Sequence, residues 1–123
     1  MSDTKIQPRV GLYRSTKLVG TKFENPQGDA LGKIEDLVID PGEGRIAAVI
    51  VSFGGFLGLG EKLVAIPMSA FTYDEAKRKF LLNIDKETLR NAPSFGTDDW
   101  PELIDRVWAA DVFSYYGYPP YWH

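Results

Sequence analysis

The chain has 123 residues, a formal net charge of -3, 44% hydrophobic residues and no cysteine. That length fits one domain with one core, and the missing thiols exclude disulfides, thiolate nucleophiles and cysteine zinc sites. The acidic balance argues against nucleic acid as the main partner. With no apolar stretch of signal-peptide length in Met1 to Leu18, and no run long enough to span a bilayer, a cytoplasmic protein is expected.

The pattern divides the chain into an N-terminal arm (1–16), a β domain (17–92) and a C-terminal helix with an aromatic tail (93–123). The arm is polar, with Pro8 and Gly11 and no sustained period. Leu18 to Phe23 reads as a first strand, with Val19, Thr21 and Phe23 on one face. Asn25-Pro26-Gln27-Gly28 has the residue order of a type I turn. A second strand is expected from about Gly32 to Ile39, with an imperfect alternation. Ile34 and Val38 share a face with Asp36, while Leu37 and Ile39 share one with Glu35. Either a bulge shifts the register near Asp36, or both faces are partly buried and Asp36 is an inward carboxylate.

Arg45 to Phe53 is the most apolar run of the chain and is rich in β-branched residues, so it reads as a strand buried on both faces. Turn signals bracket it: Asp40-Pro41-Gly42-Glu43-Gly44 before and Gly54-Gly55 after. These first three strands should form an antiparallel meander. Lys62 to Ile66 is the fourth strand, stopped by Pro67. Met68 to Tyr73 is a short turn leading into a fifth, and Lys79 to Ile84 is the last, with Phe80, Leu82 and Ile84 facing in. Asp85 caps a short helix, Lys86 to Asn91. The expected fold is therefore mainly β: a small antiparallel, partly open barrel of five to six strands with a short helix and a C-terminal helical and aromatic extension.

In that extension, Asp98 or Asp99 can cap a helix with Pro101 in its first turn. Trp100, Leu103, Ile104, Val107 and Trp108 would then form one apolar stripe. From Ser114 onward, Pro119 and Pro120 favour an extended segment, dense in aromatic rings that need a surface to lie on.

The ordered set Leu18-Val19-Gly20-Thr21, Asn25-Pro26-Gln27-Gly28, Leu31 to Asp36, the central strand, Gly58 to Lys62 and Val64-Ala65-Ile66-Pro67 resembles the PRC-barrel domain over about Lys17 to Asn91. That is the β-barrel of the photosynthetic reaction centre H subunit, shared with a ribosome-maturation factor and many small bacterial proteins. The aromatic tail is similar to that of small stand-alone members. The resemblance implies a compact barrel without enzymatic activity, used for docking to macromolecules or small ligands. The transmembrane anchor of the H subunit and the N-terminal domain of the maturation factor are not expected here, so neither function carries over.

Sites for chemistry are weak. Gly55 to Gly60 has the glycine spacing of a phosphate loop, but Glu61 stands where lysine belongs. Gly58-Leu59-Gly60 lacks the third glycine of a dinucleotide fingerprint and enters a strand. Phe56, Leu57 and Leu59 on that loop either tuck over the barrel or mark a contact surface. Asp98 and Asp99 are adjacent and read as a cap rather than an acid/base pair. His123, the sole histidine, is the last residue and has no rigid set of companion ligands. No serine has a nucleophile-elbow context. No catalytic, cofactor or metal residue is therefore expected.

The expected interaction residues are Phe56, Leu57, Leu59, Trp108, Tyr115, Tyr116, Tyr118, Tyr121 and Trp122. The rings of the tail either wrap their own barrel or reach another chain. The expected function is a non-enzymatic binding or adaptor module for protein partners that self-associates as a homo-oligomer. The competing readings are an RNA- or ribosome-associated factor and a small-ligand carrier.

Overall fold

The computed structural model describes residues 11–53 and 62–122. Among them seven strands form one sheet: β1 (Lys22–Glu24), β2 (Ala30–Asp40), β3 (Arg45–Phe53), β4 (Lys62–Ile66), β5 (Phe71–Asp74), β6 (Lys79–Leu82) and β7 (Ser94–Gly96). Their order is β5-β6-β1-β2-β3-β4-β7, with β5 and β7 as edges. The result is mainly β and partly open.

The meander β1-β2-β3-β4 is antiparallel throughout. The hairpin β5-β6 returns to the opposite edge and lies beside β1 in parallel, with Phe23 opposite Phe80. This one parallel pair departs from the all-antiparallel expectation. It is a long-range pairing that alternation along the chain cannot encode. The seventh strand is also additional: three residues with one large apolar side chain are too short for a period of two to register.

The irregularity of β2 is a bulge. Ile34 pairs with Val51 and Asp36 with Ile50, which leaves Glu35 as the extra residue; a second shift places Ile39 opposite Ile46. Asp36 is exposed, and its Oδ1 accepts from the Leu37 amide at 2.8 Å. The inward carboxylate considered above is thus corrected, because the bulge turns the side chain to solvent. At the other end of β2, a Cβ on Gly32 would stand 1.9 Å from the Ser52 carbonyl oxygen. Only glycine lets β2 and β3 approach there.

β3 is buried on both faces because two cores meet on it. Val49, Val51 and Phe53 point into the barrel with Phe23, Leu31, Ile34, Val64, Ile66, Phe71, Phe80 and Leu82. Ala48 and Ile50, with Leu63 and Ala65 of β4, form an outer layer packed against Phe95, Trp100, Trp108 and Val112. The C-terminal extension is the covering segment.

The local elements follow their capping chemistry. Ser15–Leu18 is a short helix, α1, so the strand expected from Leu18 begins only at Lys22. Asp85 caps α2 (Lys86–Arg90), its Oδ1 accepting from the Thr88 amide at 2.7 Å. The last helix, α3, is Arg106–Tyr116, not the one expected after Asp98 or Asp99. Asp105 is its cap and accepts from the Trp108 amide at 3.0 Å. The stripe is corrected accordingly. Leu103, Ile104 and Val107 are exposed, and Ala109 and Phe113 are the buried residues of α3. The apolar spacing from Trp100 to Trp108 was compatible with a helix, but the cap sets where it starts. Ser114, Tyr115 and Tyr116, expected to be extended, complete α3, which ends at Gly117 with φ +76°. Among the described residues no helix is long and apolar enough to cross a membrane.

Candidate interaction surface

α3 lies across the outer face of the β3-β4 region and leaves a cleft on either side. Trp108 forms part of the wall of both. The narrower cleft, about 170 Å³, runs between α3 and the end of β2, lined by Ile39, Asp40, Ala47, Ile104, Arg106 and Tyr121, among others. Of its lining, Ile39 is 58% exposed, and the chain neighbours of Ile104 and Trp108 are barer still: Leu103 is 70% exposed and Val107 71%.

A polar and aromatic latch closes the far end of this cleft. Tyr121 Oη donates to Asp40 Oδ2 at 2.7 Å. Arg106 reaches Asp40 Oδ2 at 3.5 Å and Glu43 Oε2 at 3.3 Å. The Arg45 guanidinium stands 4.9 Å from the Tyr121 ring centre, and Arg106 stands 5.6 Å from that of Trp122. The hydrogen bond from Tyr121 is the main cause that holds the Asp40 carboxyl below its usual range, helped by the Glu43 amide and Arg106. Burial first, and then Asp40, push the Tyr121 hydroxyl up to about 12. Tyr121 and Trp122 also stack edge-on against Phe113, each at 5.8 Å. The latch therefore ties the tail to the β2-β3 turn and to α3.

The wider cleft, about 480 Å³, lies between α3 and β7. Phe95 and Trp100 form one corner, ring centres 4.9 Å apart. Trp108, Tyr115 and Tyr116 form the opposite wall, and Asp99 and Asp111 stand on the rim. Tyr115 is held in place by its hydroxyl, which donates to the Thr88 carbonyl at 2.6 Å. Burial pushes the Tyr116 hydroxyl upward.

A third cleft, about 470 Å³, sits at the other end of the sheet, where Arg14, Lys17, Lys22 and Arg78 surround Tyr13 and Tyr73. Among the described residues none of these four cations forms an ion pair. Within an acidic chain this is a local concentration of positive charge.

The structure thus brings Trp108, Tyr115 and Tyr116 together in one cleft and places Tyr121 in another. Trp122 stacks on Phe113, and Tyr118 packs against the barrel core. These tail rings lie on their own chain. Phe56, Leu57 and Leu59 lie outside the described residues. The sequence reading missed Phe95 as a wall, Asp40 with Arg106 as the latch, and Leu103, Ile104 and Val107 as exposed surface. Asp105, three residues before Trp108, was the signal that could have located α3 and so this surface.

The family model of the PRC-barrel domain matches residues 11–89, more than half of the chain. The chain belongs to the PRC-barrel domain family. No curated protein matches it. The matched residues of the PRC-barrel end within α2, so β7, α3 and the tail are added beyond the family region. Both clefts beside α3 are joint products of the PRC-barrel and this extension.

Proposed function

We propose that this PRC-barrel protein is a non-enzymatic docking module that mediates protein–protein interaction and pairs with a second copy of itself through the surface around the start of α3. The observation that carries the reading is the exposure of Leu103 and Val107, whose chain neighbours Ile104, Arg106 and Trp108 line the narrower cleft with Ile39. Bare apolar side chains and a cleft in one stretch of chain suit an isologous pair, in which Leu103 and Val107 of each copy enter the other copy's cleft. An apolar barrel interior, filled by aromatic and aliphatic side chains, supports a binding rather than a catalytic role. Light scattering across a concentration series tests it. A dimer is expected, falling to a monomer in Leu103→Asp/Val107→Asp with unchanged far-UV circular dichroism. A wild-type monomer at the highest concentrations ends the self-association.

The basic cleft favours a second reading, an RNA-associated factor. Four cations beside two exposed or half-exposed tyrosine rings suit phosphate contacts with base stacking. It predicts a salt-dependent mobility shift of single-stranded RNA that Lys17→Glu/Lys22→Glu abolishes. No shift at low salt rules it out.

A further inference from the structure

We infer that the cleft between α3 and β7 binds a small organic cation of the quaternary or alkylated ammonium type that carries an apolar portion. The inference is independent of pairing through Leu103 and Val107.

Three properties of the cleft point to that chemistry. The first is its aromatic lining: Phe95, Trp100, Trp108, Tyr115 and Tyr116 border one space of about 480 Å³. Aromatic quadrupoles attract a cation, most strongly where water is displaced. The volume is in the range of pockets that enclose small organic ligands.

The second is charge. Asp99 and Asp111 stand on the rim, no Lys or Arg is among the described lining residues, and neither carboxylate has an ion-pair partner among the described residues. Their field favours cations and repels anions.

The third is the apolar filling between the rings, Ala65, Pro93, Pro101 and Val112; the side-chain acceptors of the lining are the rim carboxylates, Ser94 and the two tyrosine hydroxyls, of which that of Tyr115 is engaged with Thr88. A primary ammonium has three N–H donors and would leave some unsatisfied against that apolar filling between the rings. A quaternary ammonium spreads its charge over alkyl groups and has no N–H to satisfy.

The walls are also set in advance. Phe95 is in β7, paired with Leu63 of β4, and Tyr115 is pinned by its bond to Thr88. Little ordering is therefore needed on binding.

Titration with benzyltrimethylammonium and with choline, read by calorimetry and by tryptophan emission, tests the inference. Trp100 and Trp108 line the cleft and report directly. Saturable binding is expected. The neutral carbon isostere of choline, 3,3-dimethylbutan-1-ol, should bind about tenfold more weakly, and benzoate should not bind. Asp99→Asn/Asp111→Asn should weaken the cations roughly three- to tenfold while leaving the isostere unchanged. Tyr115→Leu, at a half-exposed position, should weaken cation binding with the fold intact by circular dichroism. Three results would each overturn the inference: no saturation by either cation, equal binding of the isostere, or undiminished binding in both variants.

Discussion

At Gly32 and Tyr121 single side chains decide geometry that periodicity leaves open. Gly32 sits where any Cβ would press on the Ser52 carbonyl. Gly32→Ala is expected to destabilise by about 3 kcal/mol, the upper part of the overpacking range, because the atom it meets is backbone and cannot rotate away. Denaturant titration measures this. Tyr121 and Asp40 form the hydrogen bond at the centre of the latch. Asp40 is held below its ordinary value of 3.8 in the folded chain. A lowered carboxyl contributes stability above the unfolded value, and that contribution disappears as pH falls through the folded value. Tyr121→Phe should therefore lower the melting temperature at pH 7. The difference from wild type should shrink below about pH 4 and vanish in stronger acid. A difference that persists unchanged at pH 2 would assign the effect to packing instead.

For an element, the cap outweighs the apolar count. Trp100 to Trp108 has helical spacing, yet the helix forms from Arg106, where the Asp105 carboxylate reaches the Trp108 amide. Asp105→Ala should cost about 1 kcal/mol, whereas Asp98→Ala and Asp99→Ala should stay within about 0.5 kcal/mol of wild type, as ordinary surface changes do. Thermal melts of the three variants separate the two placements of the cap. The short helix after Asp85 was legible from sequence because cap, length and the closing Pro93 agree there. β3 and β4 were legible to the residue for a similar reason: a β-branched run between turn signals has few alternatives.

On the scale of the whole molecule, β3 joins two cores. The barrel interior takes one face, and the extension packs Trp108 and Val112 on the other. The three tryptophans, Trp100, Trp108 and Trp122, all lie in the extension, so their emission reports its attachment while far-UV circular dichroism reports the sheet. Because the two layers share β3 and β4, the two signals should give one coincident transition in urea. A tryptophan transition at clearly lower urea would show that the extension peels away from an intact barrel. Shared strands also explain why the clefts beside α3 exist: a helix laid over a twisted sheet cannot fill both of its flanks.

Composition and apolar patterning alone determined that this chain makes a small, mainly β domain with β3 at its centre, because local burial is written in which residues alternate and in the one run that is apolar on both faces. They also carried the PRC-barrel resemblance, which rests on an ordered set of short segments. Only the tertiary structure decided that β6 runs parallel to β1 and that Asp36 turns outward. It also decided that Leu103 and Val107 are bare, and that Phe95, Trp100 and Tyr115 line one cleft. The pairing of β6 with β1 and the turn of Asp36 depend on contacts between residues far apart in the chain, whose register is set by packing and by bulges rather than by any neighbour in sequence.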